Sequence, residues 1–144
     1  MDYEIIAKKA EIPDYDRSAI CVQYIQDLEV DITEARIQAL LAAIPDGVDE
    51  CLFLDPDGEG DFMEVLSDEG WLALGCCFDD GAECYYSYNP AYADSRELTG
   101  LRSGGQSPIE KRLALTDMAA GVAAVEYFIR TGKLYPGIEW ARQA

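Results

Sequence analysis

With 144 residues, 49% of them hydrophobic, the chain suits one globular domain over residues 1–144 with a hydrophobic core of its own. Its 28 acidic side chains outnumber 11 basic ones, and the excess is regional, since residues 1–95 carry 23 acidic and 4 basic side chains while residues 96–144 carry 5 and 7. The net charge of −17 disfavours direct contact with nucleic acid or an anionic membrane, and it favours either a basic protein partner or a role in solubility alone.

The first predicted elements are a strand and a helix. Alternating apolar residues near Ile20–Ile25 favour the strand. Thr33 is the expected N-cap of the helix, Ile32 and Ile37 form a hydrophobic staple across it, and Pro45-Asp46-Gly47 ends it. The residues that recur at helical spacing are Ile37, Leu40, Leu41 and Ile44.

Four short apolar segments follow, separated by turns rich in Asp and Gly, a pattern typical of an antiparallel β-meander. The predicted strands are Cys51–Leu54, Phe62–Leu66, Trp71–Phe78 and Glu83–Tyr88. A meander places alternate turns at opposite ends of its sheet, so we expect the turns at 55–61 and 79–83 to share one end.

From Ala91 to Pro108 the alternation of apolar segments and turns is no longer visible. Residues 98–106 are therefore predicted to form a long surface loop, with a short strand within Ile109–Leu115. The second helix is capped by Thr116 or Asp117 and ends at Gly132. Its apolar and small residues, which predict close packing on a sheet, are Met118, Val122, Val125 and Ile129, with Ala119, Gly121 and Ala124. The expected fold class is α+β, an antiparallel β-meander covered by two main helices, the second near the C-terminus.

The residue types present limit the chemistry. The absence of histidine removes nucleophile–histidine triads and the commonest metal ligand, so the sequence disfavours an enzyme without excluding one that uses carboxylates. The cysteines are odd in number, have no C-x-x-C pair and are predicted to be reduced, mostly buried thiols: Cys21, Cys51, Cys76, Cys77 and Cys84. With Asp2 and Glu4 near its start and no long apolar run, the chain is expected to lie in the cytoplasm.

The many carboxylates are compatible with three other roles: a cation site, a hydrolase, and a general acidic adaptor or nucleic-acid mimic. The segment 55–61 spaces its oxygens like a calcium loop, but Leu66 takes the twelfth position, where a bidentate glutamate is needed. We interpret the segment as an acidic hairpin turn, with a weak incidental cation site as the alternative. A pair of acids would serve a carboxylate-dependent hydrolase, and the charge alone would serve a general acidic adaptor or nucleic-acid mimic.

Tyrosines beside the acidic turns form the predicted binding surface. Tyr85 and Tyr86 are neighbours in a strand and point to opposite faces, so one is expected to pack inward and the other to be exposed. Exposed tyrosine beside acid is a common composition of protein-binding hot spots, although core packing is an equally ordinary role. The candidate residues are Asp55, Asp57, Glu59, Asp61, Asp79, Asp80, Glu83, Tyr85, Tyr86 and Tyr88.

The C-terminal segment Ala123–Trp140 resembles the end of the first immunity-protein family of bacterial polymorphic toxin systems. An alanine-rich helix, an aromatic-aliphatic pair, a Thr131-Gly132 stop, Pro136 and Trp140 follow one another in that family's order, although Leu134-Tyr135 lengthens the segment before the proline. We expect Trp140 itself to pin the C-terminus to the sheet.

The resemblance implies a small cytoplasmic α+β protein, without catalysis of its own, that binds and neutralises a cognate toxin domain, often one of deaminase fold. A toxin that acts on nucleic acid tends to carry a basic cleft, which an acidic surface with tyrosines can occlude.

Overall fold

The computed structural model describes residues 3–8, 22–25, 28–30, 33–54 and 60–143, and these residues form ten strands, two α-helices and three single-turn 3-10 helices. The strands are β1 (Tyr3–Ile6), β2 (Val22–Ile25), β3 (Leu28–Val30), β4 (Val48–Phe53), β5 (Phe62–Asp68), β6 (Trp71–Phe78), β7 (Glu83–Ser87), β8 (Leu98–Ser103), β9 (Ser107–Glu110) and β10 (Trp140–Gln143). The α-helices are α1 (Glu34–Ala43) and α2 (Met118–Thr131). Among the described residues, neither helix is long and apolar enough to cross a membrane.

Eight strands form one antiparallel sheet in the order β1-β10-β7-β6-β5-β4-β2-β3. The run from β4 to β7 is the predicted meander, and β6 has the predicted bounds. The turn between β5 and β6 is a type I′ hairpin, because Asp68 pairs with Trp71 and both Glu69 and Gly70 have positive φ. β10 lies between β7 and β1, so strands from the two ends of the sequence are neighbours in the sheet.

Both helices lie on one face of this sheet, and the predicted α+β class is confirmed. Thr33 caps α1 by accepting a hydrogen bond from the Arg36 N–H at 3.2 Å, and Asp117 caps α2 through the Ala120 N–H at 3.1 Å. Gly132, at φ 71°, ends α2 in the left-handed conformation. The other half of the predicted staple, residue 32, lies outside the described residues.

The main core lies between the helices and this face. Its fully buried side chains include Ile44, Leu52, Met63, Val65, Leu72, Leu74, Cys76, Val125 and Phe128. Trp140 joins them at 2% exposure and donates its indole N–H to the Tyr135 carbonyl at 2.8 Å, which confirms its packing role. Arg130, 0% exposed on α2, bonds Glu34 of α1 and also Glu126, at 3.0 Å, on its own helix. This charged contact fixes how the two helices sit against each other.

The predicted surface loop at 98–106 is wrong, because β8 and β9 form a two-stranded hairpin there. Its tight turn uses Gly104 and Gly105 at φ 60° and 75°, a conformation that glycine adopts without strain. The strand predicted within Ile109–Leu115 also differs, since β9 ends at Glu110 and Leu115 makes only an isolated bridge to Leu72.

The β8–β9 hairpin covers part of the face of the sheet that the helices leave open. A second, smaller core forms there from Leu66, Ala73, Leu101 and Ala114. Trp71 and Ile109 pack against it. The sheet is therefore buried on both sides at its centre.

The cysteines also differ from expectation in part. The four that the structure describes form no disulfide with one another, and only Cys76 is fully buried. The others, Cys51, Cys77 and Cys84, are half-buried, because they lie on the face of the sheet away from the helices.

Gly121 is expected to be essential for the close contact between α2 and the sheet. A β-carbon at this position would lie 2.2 Å from Cδ2 of Leu72, which is itself fully buried. Replacement Gly121→Val should lower the free energy of unfolding by about 2–3 kcal/mol through overpacking. Ala119→Val, at an exposed position of the same helix, should cost only about 0.5 kcal/mol of helix propensity. Equilibrium urea unfolding measures both, and equal losses would contradict the role given to Gly121.

Candidate functional site

Two acidic connections meet at one end of the sheet, where β4 leads to β5 and β6 leads to β7. Asp61 accepts a hydrogen bond from the backbone N–H of Asp79 at 2.9 Å, so the two turns share an end as predicted. Three candidate residues of the first connection, Asp55, Asp57 and Glu59, lie outside the described residues. We call the remaining four acids the acidic end: Asp61, Asp79, Asp80 and Glu83.

The turn between β6 and β7 holds its aspartates in a defined backbone conformation. Asp79 and Asp80 have φ of 53° and 54°, and the Gly81 N–H donates to the Phe78 carbonyl at 3.1 Å. Gly81 also has positive φ, at 85°, and the four-residue loop so formed uses a conformation that Asp adopts more readily than most other side chains. Both side chains are exposed, so the hairpin presents two carboxylates to solvent.

The charge of the acidic end is not neutralised within the described part of the chain, where no Lys or Arg forms an ion pair with it. Four basic side chains are instead engaged with other carboxylates. These pairs are Lys111 with Glu97, Arg112 with Glu110, Arg130 with Glu34 and Glu126, and Arg142 with Glu4. Within the described residues, the acidic end therefore keeps a net negative field.

The three candidate tyrosines lie in three different places. Tyr85 faces the helix side, 6.0 Å from the ring of Phe78, and its hydroxyl donates to Glu83 at 3.3 Å. Tyr86 lies on the opposite face and donates to Oε1 of Gln143 at 3.1 Å. Tyr88 follows β7, and its backbone N–H bonds the Glu139 carbonyl at 3.1 Å. Only Tyr85 contacts the acidic end.

The prediction that one of Tyr85 and Tyr86 is exposed is wrong, because both are half-buried. Strand alternation does place them on opposite faces of the sheet, but other residues pack against the tyrosine on each face. Tyr85 packs against the main core. Tyr86 lies over Gly75, where a β-carbon would be 3.4 Å from its ring.

A cavity of about 390 Å³, which the sequence pattern did not predict, lies between the β8–β9 hairpin and the sheet. Tyr86 and Gly75 contribute to it from the sheet, and Glu64 reaches across to accept a hydrogen bond from the Ser103 hydroxyl at 2.7 Å. At its rim, Arg112 stacks 5.0 Å from the centre of the Tyr3 ring. In the sequence, β6 is apolar along its whole length, which indicates that other elements pack on both of its faces, including the face away from the helices.

The lining of this cavity is rich in oxygen acceptors. Glu64 and Glu110 supply carboxylates, and Tyr3 and Tyr86 supply phenols. Such a lining suits a hydrogen-bond donor or a cation better than an anion. Among the described residues, no three side chains of the metal-ligating types come together.

Burial changes the acidity of the cavity phenols. Desolvation, with smaller contributions from the neighbouring Cys84 and Cys77 thiols, raises the pKa of Tyr86 to about 12. Desolvation also raises the pKa of Tyr3, partly offset by Arg112. Both effects favour the neutral phenol inside the fold.

Comparison of this chain with protein-family models, with curated proteins and with solved structures finds no match. The likeness of its C-terminal segment to an immunity-protein family therefore stays a prediction.

Tyr86 is expected to make the fold sensitive to alkali. Its pKa is about 12 in the folded protein against 10.0 for an unperturbed tyrosine, so the folded state keeps a proton that the unfolded state loses. The stability contributed by the neutral phenol is complete below pH 10 and is lost as the pH rises towards 12. Urea unfolding across this range should show a shallower alkaline loss for Tyr86→Phe than for the wild type. Parallel losses would mean that the buried phenol ionises normally.

Proposed function

We propose that this protein is an immunity protein that binds a cognate bacterial toxin domain in the cytoplasm and neutralises it by occluding the toxin's active site. The observation that carries the proposal is the acidic end, whose carboxylates, two of them exposed on the turn at Asp79 and Asp80, have no basic partner in the described part of the chain. In this proposal the protein has no catalytic activity, needs no cofactor and contacts neither nucleic acid nor membrane directly.

The charge favours a basic partner surface. A net charge of −17 steers a cationic domain towards the protein, and the acidic end concentrates that field at one end of the sheet. The turn at Asp79 and Asp80 is held by the hydrogen bond from the Gly81 N–H to the Phe78 carbonyl, so little conformational entropy is lost when it binds.

Apolar contacts beside the acidic end supply the buried area that carboxylates alone do not provide. Phe53 and Phe62 are register partners on neighbouring strands, with ring centres 5.5 Å apart, and both are half-buried. Tyr85 adds a phenol already linked to Glu83. Aromatic side chains of this kind are typical interface anchors when acidic groups surround them.

The class of partner comes from the C-terminal resemblance. Toxin domains neutralised by the family that Ala123–Trp140 resembles are often of deaminase fold and act on nucleic acid. A cleft built to hold a polyanion is basic, and it is the surface to which the acidic end is complementary.

A carboxylate-dependent hydrolase is the second candidate, because the cavity brings Glu64 and Glu110 to one concave surface. Each of these carboxylates already has a partner, Ser103 for Glu64 and Arg112 for Glu110. Carboxylates with such partners serve to hold the hairpin against the sheet rather than to catalyse hydrolysis. We therefore favour the binding function over the hydrolase. A general acidic adaptor or nucleic-acid mimic would use the same surface but bind many basic proteins with similar strength.

The decisive experiment titrates the protein into the C-terminal toxin domain encoded by the neighbouring gene, at low and at physiological salt, while toxin activity is followed. We expect nanomolar affinity that weakens with salt and a loss of toxin activity at equimolar protein. Unrelated basic proteins serve as controls and separate an immunity protein from a general adaptor. Absence of binding at both salt concentrations would overturn the proposal.

Charge reversal at the acidic end is expected to weaken this binding. Asp79→Lys with Asp80→Lys should slow association at low salt by about tenfold or more, because the field at the contact changes sign. Asp68→Lys with Glu69→Lys is the matched control: it changes the net charge equally, in the type I′ turn at the opposite end of the sheet. Stopped-flow association measures both. Equal effects of the two double variants would show that general charge, and not this end of the sheet, drives the encounter.

A further inference from the structure

Two cysteines face each other across β6 and β7. Cys77 and Cys84 are register partners, and their sulfur atoms lie 2.7 Å apart. Directly opposed residues of antiparallel strands have Cα atoms about 4.5–5.5 Å apart, inside the range of about 4.4–6.8 Å that disulfides span. The backbone therefore already holds the two side chains where a bond can form.

We propose that Cys77 and Cys84 are a covalent modification site and close into a reversible disulfide when the protein meets a disulfide oxidant. The bond would join the two strands at the base of the hairpin that carries Asp79 and Asp80. A disulfide bond of about 2.05 Å requires the two sulfur atoms, now 2.7 Å apart, to move closer by about 0.65 Å.

The geometry selects this pair among the described thiols. Cys76 is next in sequence to Cys77 but belongs to the main core on the other face, at 0% exposure. Cys51 lies on β4, and the whole of β5 separates it from β6. Cys77 and Cys84 are both half-buried rather than enclosed, so a small oxidant can approach them.

Oxidised glutathione is the simplest co-reactant, and the exchange balances. One protein thiol loses its proton, and its thiolate attacks a glutathione sulfur, which breaks the glutathione disulfide and releases one glutathione as thiolate. The second protein thiol then loses its proton and attacks the protein sulfur of the mixed disulfide, which displaces the second glutathione. Two protein thiols are oxidised and one glutathione disulfide is reduced to two thiols.

The surroundings of the pair slow the exchange. Burial, followed by the hydrogen bond with Cys84, raises the pKa of the Cys77 thiol to about 12. Because the thiolate is the nucleophile, a thiol with such a pKa attacks slowly. We therefore expect the exchange to be slow near neutral pH and faster as the pH rises.

The test incubates the wild-type protein with excess oxidised glutathione, blocks the remaining thiols and digests it without reduction, using a protease that cleaves after Asp and Glu. Such cleavage sites lie between the two cysteines at Asp79, Asp80 and Glu83, so a bond is seen as two joined peptides. Fragmentation of the peptide that contains both Cys76 and Cys77 then shows which of the two is bonded to Cys84. The intact protein should lose about 2 Da, the mass of two hydrogen atoms. A reducing agent should restore both thiols.

Two variants sharpen the result. Cys77→Ser should stop the reaction at a glutathione adduct on Cys84, whereas the matched control Cys51→Ser should form the bond as the wild type does. The wild-type peptide map decides the outcome even if a variant fails to fold. Peptides joined through any other cysteine, or thiols that all remain open to blocking after oxidation, would overturn the proposal. Because no toxin is present, the result is independent of the proposed function.

Discussion

The central strands of the sheet are apolar on both sides, and the need to cover both sides places every other part of the fold. Successive residues of β5, Val65 and Leu66, are both buried although they point in opposite directions, and so are Leu72 and Ala73 of β6. Two helices cover one side, clamped to each other through Arg130, and the β8–β9 hairpin covers the other. Charged residues are thereby pushed to the turns at the ends of the sheet, which is where the acidic end is found.

The elements that the sequence predicts well are those specified by local chemistry. Caps, glycine stops and Asp-Gly turns act within a few residues, so both helices and the meander could be placed to within a few positions. The β8–β9 hairpin was missed because its strands do not show ordinary apolar alternation. One of its inward positions is Thr99, which is buried because its hydroxyl donates to the Ile109 carbonyl at 2.9 Å. A polar residue with a partner ten positions away looks like a loop residue in the sequence.

In the candidate site, too, the features that can be predicted are those that do not depend on residues remote in sequence. The meeting of the two acidic turns could be predicted, because antiparallel topology alone decides which turns share an end. The burial of Tyr86 could not, since it depends on Gln143 in β10 and on the hairpin, which are remote in sequence. Strand alternation predicts the direction of a side chain but not what the rest of the chain places above it.

The position of β10 has a consequence for how the protein is made. Because β10 lies between β1 and β7, the pairing of Ile6 with Trp140 forms only after residues 140–143 have been synthesised. Until then, among the described strands, β1 is unpaired and so is the edge of β7 that later pairs with β10. Unpaired strand edges of this kind can pair with other chains and cause aggregation. Completion of the sheet therefore waits for its final strand to leave the ribosome, and a nascent chain stalled before that strand would be the form most prone to aggregate.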